Sequence, residues 1–172
     1  MCSSDLDPRL LPLAAARHPR VRVLHGSAEH IPLDDHSVDV VHARFAYFFP
    51  PGCDAGLAEV MRVLRPGGTL VVIGNDLRAG EFAELLRAAE GALVPAGGEE
   101  TDAWWAARGA DRITVRSRWR FTSRADLEAV LRMEFPLKVA DPWLAARPGA
   151  VGLSYSYALF ALDKPHGLLR AR

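Results

Sequence analysis

Hydrophobic positions follow two rhythms along this chain. Short apolar runs at Val21–His25, Val38–Ala43 (β-branched), Thr69–Ile73 and Leu153–Leu162, with the alternating stretch Ile113–Phe121, predict strands. Between them, apolar residues recur at helical spacing. Leu10, Leu11, Ala14 and Ala15 form the first stripe. Asp7-Pro8 has the look of a helix start, but Pro12 lies too deep for a helix beginning at Pro8, so the regular helix begins later or its first turn is distorted. Leu57, Val60, Met61 and Leu64 predict a helix over Ala55–Leu64 with Asp54 as its cap. Phe82, Leu85, Leu86, Ala89 and Leu93 predict one over Glu81–Leu93. A short helix starting near Thr101-Asp102 carries Trp104 and Trp105, and Ser123 caps another that runs to Glu134. Ile31–Ser37 reads as a loop, Pro66-Gly67-Gly68 as a tight turn, Pro95–Glu100 as a loop and Pro136–Gly152 as irregular chain.

Strands alternating with helices argue for an α/β fold, a mostly parallel sheet with helices on both faces. The helix-separated last pair of strands is consistent with an antiparallel C-terminal edge strand. The Val38–Ala43 run suits a strand covered on both faces. One domain is expected over residues 1–165, with a tail at 166–172.

Composition narrows the classes of partner. The 172 residues carry 21 basic and 21 acidic side chains, so no net charge draws the chain to nucleic acid or to an anionic membrane. Arg112, Arg116, Arg118 and Arg120 share one face of their strand and read as a solvated face. Cys2 and Cys53 make neither a disulfide framework nor a metal site. The six histidines lack ligand spacing, and His42, inside a strand, reads as an interior histidine. No apolar run is long enough to cross a bilayer, and the acids Asp5 and Asp7 argue against a signal peptide, which makes a cytoplasmic protein the expectation.

Ligands of open parallel sheets sit outside the carboxyl ends of the strands. Those ends carry Gly26–Glu29, Ala43–Phe45 and Gly74–Asp76. If Asp5 also ends a strand, its carboxylate can accept two hydrogen bonds from a ribose diol; an exposed terminal acid is the alternative. Gly26 lets the chain leave its strand sharply, Ser27 offers a hydroxyl, and the Ala28 N–H can reach an adenine ring nitrogen. The alternative is an ordinary turn with an exposed Glu29. The aromatic run Phe45–Phe49 reads as core plus a lid over the cleft.

Three ordered strings carry a resemblance. They are Ser4–Pro8, then Gly26–Glu29 followed by Ile31-Pro32-Leu33 and Ser37-Val38-Asp39, then Arg62–Leu70 with its Arg-Pro-Gly-Gly. Together they resemble the central strands of a class I S-adenosylmethionine-dependent methyltransferase, over roughly residues 4 to 76. The resemblance implies a Rossmann-like methyltransferase fold, S-adenosylmethionine as cofactor and a small-molecule methyl acceptor. It implies that Asp5 binds the ribose hydroxyls and Leu6 packs on the adenine. Ser27 stands where the family usually has an aspartate for the adenine amino group. Ala28 and Glu29 line the same edge, and Arg44 sits near the methionine portion or the substrate mouth. Trp104 and Trp105 fall in a segment that often caps the substrate; packing of a small surface helix is the alternative. No residue is assigned as the catalytic base; His30, His42, Arg44 and Tyr47 are those to test. The family's first strand and glycine-rich loop have no counterpart before Asp5, so an N-terminally truncated enzyme is the expectation. The alternatives are a non-catalytic remnant or partner-binding module, or a homodimer that replaces the strand.

Overall fold

The computed structural model describes residues 2–5 as backbone and residues 7–89 and 98–166 in full. The chain divides into two compact units, residues 1–72 with 161–172, and residues 73–160. The first holds β1 (Cys2–Asp5), α1 (Leu11–Arg17), β2 (Arg22–His25), β3 (Val38–Arg44), α2 (Asp54–Val63) and most of β4 (Leu64–Asn75). The second holds α3 (Glu81–Ala89), α4 (Gly98–Ala106), β5 (Asp111–Arg120), α5 (Arg124–Glu134), α6 (Leu137–Ala145) and most of β6 (Gly152–Asp163). Strands β1 and β2 pair in parallel, with Asp5 opposite His25. The remaining strands form a sheet in the order β3-β4-β6-β5.

The α/β architecture expected from the alternating pattern is present, with four differences. The C-terminal strand runs antiparallel to β4, since Gly67 lies opposite Lys164 and Asp76 opposite Ser156. It is not the edge, however: β6 lies between β4 and β5, and β5 takes the edge. Burial explains the placement. Alternate residues of β6 are buried, whereas most of β5 is exposed, Ile113 and Val115 included.

Pro66-Gly67-Gly68 is not a separate turn but part of a continuous β4. Gly67 is left-handed at φ +79°, and both Gly67 N–H and Gly68 C=O bond to Lys164. Two residues opposing one, with a left-handed glycine first, make a β-bulge. The stretch read as irregular contains α6, where Val139, Ala140, Trp143 and Leu144 are buried. Pro136 and Pro142 masked it in the sequence; the first stands at the N-cap and the second is tolerated inside the helix. The fourth difference is β3, whose expected covering on both faces is not found: Val40 is 60% exposed. Among the described residues β3 pairs only with β4, which leaves its other edge without a strand.

Helix starts follow local chemistry. The regular part of α1 begins at Leu11, which puts Pro12 in its first turn, and the Asp7 carboxylate instead accepts the Arg9 N–H at 2.9 Å in a turn. Cys53, not Asp54, occupies the N-cap of α2, without a side-chain cap bond. Ser123 caps α5 as expected, accepting from the Asp126 N–H. Leu93, expected on α3, lies outside the described residues.

Packing in the second unit centres on Phe82 and Leu85 of α3, Leu127 and Leu131 of α5, and Trp143 and Leu144 of α6 against Leu153 and Tyr155 of β6. In the first unit Val60 and Val63 of α2 and Leu64 and Leu70 of β4 are all nearly inaccessible. Arg62 projects from α2 onto the loop between β2 and β3, donating to the Ile31 and Leu33 carbonyls at 2.9 and 2.8 Å and to Asp35 at 2.7 Å. Glu59 accepts from Arg62 and from the Ile31 N–H at 3.0 Å. The bonds from Arg62, then that from Ile31, hold the Glu59 carboxyl down to about 2. A depressed carboxylate stabilises the fold fully above its unfolded value, and that contribution fades as pH falls toward the folded value. Urea unfolding followed from pH 5 to pH 2 (roughly the span of these two values) is therefore expected to show a steeper acid loss in the wild type than in Glu59→Gln. Parallel acid profiles would contradict the role of Glu59.

Candidate active site

Parallel pairing brings two of the sequence-predicted positions together. Asp5 and His25 are register partners at the carboxyl ends of β1 and β2, so Asp5 stands beside the chain that continues into Gly26–Glu29. Leu6 lies outside the described residues. Residues 27–30 close on themselves through a bridge between Ser27 and His30, with the His30 N–H donating to the Ser27 carbonyl at 3.3 Å. Gly26 is needed here for closeness: a Cβ would stand 2.5 Å from Pro32 Cδ. Its φ is not positive, so the sharp exit attributed to glycine freedom is instead a packing requirement.

Ser27 and Ala28 are half-buried and Glu29 is exposed. Among the described residues neither the Ser27 hydroxyl nor the Ala28 N–H is spent on a bond. A half-buried backbone donor left open at a strand end is a group that a ligand or water must satisfy. Glu29 is engaged at one oxygen, which accepts from the Tyr47 hydroxyl at 2.8 Å. Sequence reasoning named both residues without linking them, because nothing local signals a bond across the intervening loop.

The segment following β3 is conformationally unusual. Phe45 and Tyr47 are left-handed at φ +50° and +56°. For bulky residues this is strained backbone, and such strain gathers at binding and switch segments. Arg44 stacks on Phe45, its guanidinium 5.4 Å from the ring centroid. Phe48 is buried and belongs to the core, while Phe45 and Phe49 are exposed. His42 is exposed on β3 rather than interior, because that side of the strand is uncovered. A cavity of about 600 Å³ involves His30, but Arg22 and Ser37 in its lining place it at the amino ends of β2 and β3. It belongs to the structural cluster around Arg62 and Glu59, so the carboxyl-end groups remain the better site.

In the second unit, Asp76 terminates β4 and is 4% exposed. Its carboxylate accepts from Arg112 Nη2 at 2.8 Å, Thr114 Oγ1 at 3.0 Å and the Arg78 N–H at 3.0 Å. Burial pushes its pKa up, yet these bonds and the Arg112 charge outweigh burial and hold it below the ordinary carboxylate range. Asp102 of α4 accepts from Arg112 Nε at 2.9 Å and pairs with Arg78. Arg112 thus departs from the solvated face expected of its arginine run, while Arg116, Arg118 and Arg120 remain exposed. A carboxylate held in this way is a poor proton acceptor, so Asp76 orders structure rather than serving as a base. Trp105 is 1% exposed and stacks on Phe160, so it is core, not a substrate cap. Trp104 lies under the Arg108 guanidinium, 3.5 Å away. No group of three or more His, Cys, Asp or Glu among the described residues could hold a metal ion, and none of their helices is long and apolar enough to cross a membrane.

Removing Arg112 would leave Asp76 buried without its main charge partner. Arg112→Met is expected to cost about 3 kcal/mol in urea unfolding. Arg116→Met, on the exposed part of the same strand, should stay within about 0.5 kcal/mol. Equal effects would show that Arg112 does not compensate Asp76.

Residues 1–72 match a family described as a methyltransferase domain. An uncharacterized methyltransferase of Mycobacterium tuberculosis is 44% identical over 83 residues, covering 47% of this chain and 34% of that protein. The demethylmenaquinone methyltransferase of Chlorobaculum tepidum is 39% identical over 69 residues, covering 40% of this chain and 28% of that protein. The chain thus spans about a third of the length of these curated relatives. The crystal structure of the YcgJ protein from Bacillus subtilis superposes with a TM-score of 0.57 at 18% identity, covering 96% of this chain and 82% of that one. Residues 1–72 are thus similar in sequence to a methyltransferase domain, and the fold over nearly the whole chain is similar to that of YcgJ.

Proposed function

We propose that the chain binds S-adenosylmethionine at the carboxyl ends of β1 and β2 and serves methyl transfer to a small-molecule acceptor. One observation carries this reading. The register sets Asp5 beside His25, immediately before a turn whose Ser27 hydroxyl and Ala28 N–H are unspent among the described residues. These groups fit an adenosine: an acid for the ribose diol, a backbone donor for a ring nitrogen, and a hydroxyl with the free oxygen of Glu29 for an amino group. Ser27 is a neutral partner where an aspartate would be charged, which makes a weaker bond.

When bound, the cofactor supplies an already activated methyl group. The task left to this chain is to hold donor and acceptor in line, so its residues act through proximity. A base is needed only for an acceptor that must lose a proton. Tyr47 does not suit that role at neutral pH, because burial and the neighbouring Glu29 carboxylate raise its phenol above the ordinary range. Exposed Phe49, and exposed Phe45 with Arg44 over its ring, support a partly apolar acceptor, and the relative named for demethylmenaquinone agrees with a small molecule.

Isothermal titration with S-adenosylhomocysteine tests the reading. Micromolar binding, about 8 kcal/mol, is expected of the chain. Asp5→Ala should weaken it by about tenfold or more, and Glu29→Ala by less, because a ribose diol spends two bonds on the first acid. A folded chain without affinity would overturn the reading, and equal losses would overturn the assignment of Asp5.

A further inference from the structure

Helix α2 begins without a side-chain cap of its own, since Cys53 at its N-cap makes no such bond. The missing acceptor comes from the preceding loop. The Tyr47 hydroxyl oxygen accepts the N–H of Gly56, in the first turn of α2, at 3.0 Å. The same hydroxyl donates its proton to Glu29 Oε1 at 2.8 Å. The result is a directed chain from helix amide to phenol to carboxylate. Bonds of this kind reinforce one another, because each donor polarises the next.

Two further features show that the chain is built into the fold. Gly56 is buried beneath the Tyr47 ring, and a Cβ there would stand 2.1 Å from ring atom Cε1. The ring therefore needs glycine at that helix position. Tyr47 also holds a left-handed backbone at φ +56°, which a β-substituted residue adopts only where its surroundings compensate. The two side-chain bonds and the glycine cradle provide that compensation. Glu29 itself is exposed, and no bond falls on its Oε2 among the described residues. An exposed glutamate ordinarily samples several rotamers, and ordering it carries an entropic cost. Here the tyrosine meets that cost before any ligand arrives.

We propose that Tyr47 is a positioning residue: anchored on the α2 amide terminus and cradled by Gly56, it fixes the Glu29 carboxylate so that Oε2 faces the adenosine end of the cofactor. This rests on the cofactor reading above. It assigns to the loop after β3 a role in cofactor affinity and joins that loop to the turn after β2.

The test combines a ligand readout with one that needs no ligand. In the full chain, Tyr47→Phe keeps the ring but removes both bonds, and Gly56→Ala displaces the ring. Both are expected to weaken S-adenosylhomocysteine by up to about tenfold, the order of one charge-assisted bond. The Glu29→Ala/Tyr47→Phe double variant should bind no more weakly than Glu29→Ala alone, because both changes act through one carboxylate. Additive losses would overturn the positioning role. Hydrogen exchange of the Gly56 amide, followed by NMR without ligand, should quicken about tenfold or more in Tyr47→Phe. Unchanged exchange would overturn the hydrogen-bond chain itself. Quickened exchange in a chain that does not bind S-adenosylhomocysteine would overturn the cofactor reading instead, leaving Tyr47 as a helix cap only.

Discussion

Arg62 spends all five of its N–H bonds on one region: two on the Glu59 carboxylate, one on Asp35, and one each on the Ile31 and Leu33 carbonyls. No other side chain could do this, because only a guanidinium presents five donors in a fixed plane. The loop it fastens has no regular secondary structure and few internal bonds, among them the Leu33 N–H to the Ile31 carbonyl and the Ser37 hydroxyl to the Asp34 carbonyl. Once tied to α2, the loop holds Pro32 against Gly26, and the turn from Ser27 to His30 stands where β2 releases the chain. The candidate cofactor edge is thus shaped by a side chain that does not belong to it.

The chemistry of the two units differs in kind. In the first, polar groups at the strand ends are left open among the described residues, and the backbone near them is strained at Phe45 and Tyr47. In the second, Asp76, Asp102, Arg78 and Arg112 satisfy one another. Open, oriented donors and acceptors suit ligand binding, whereas a closed set of paired charges suits rigidity. Under the proposed function, the described strand-end residues would work by orientation. That is what a pre-activated methyl donor would ask of a protein, since proximity supplies much of the rate when the leaving group is already in place.

One mismatch between composition and environment stands out in the first unit. The β-branched run of β3 suits a strand covered on both faces, and parallel sheets are normally buried on both. Here, however, Val40 is largely exposed. Strands β1 and β3 each find a partner on only one edge among the described residues. Unpaired edges of this length invite pairing with another chain segment, because each carries a row of unused amides and carbonyls.

Local information carried the sequence reading a long way. The strands at Arg22–His25 and Val38–Arg44, the Ser123 cap of α5, the amphipathic face of α3 and the turn at Gly26–Glu29 depend on neighbours within a few residues, and all were legible in the chain. Three features were not. The α6 helix was hidden by Pro136 and Pro142, whose helix-breaking tendency is overridden by the burial of Trp143 and Leu144. Arg112 looked like its arginine neighbours until folding placed Asp76, thirty-six residues earlier, against it. Tyr47 and Glu29 lie eighteen residues apart, with no pattern to announce their bond. Sequence by itself determined most of the strands and helices, α6 excepted, because pleat and helix periods are written in adjacent side chains. Tertiary structure alone decided which charges are buried, which strand takes the edge, and which acid is oriented, because those depend on groups that meet only after the chain has folded.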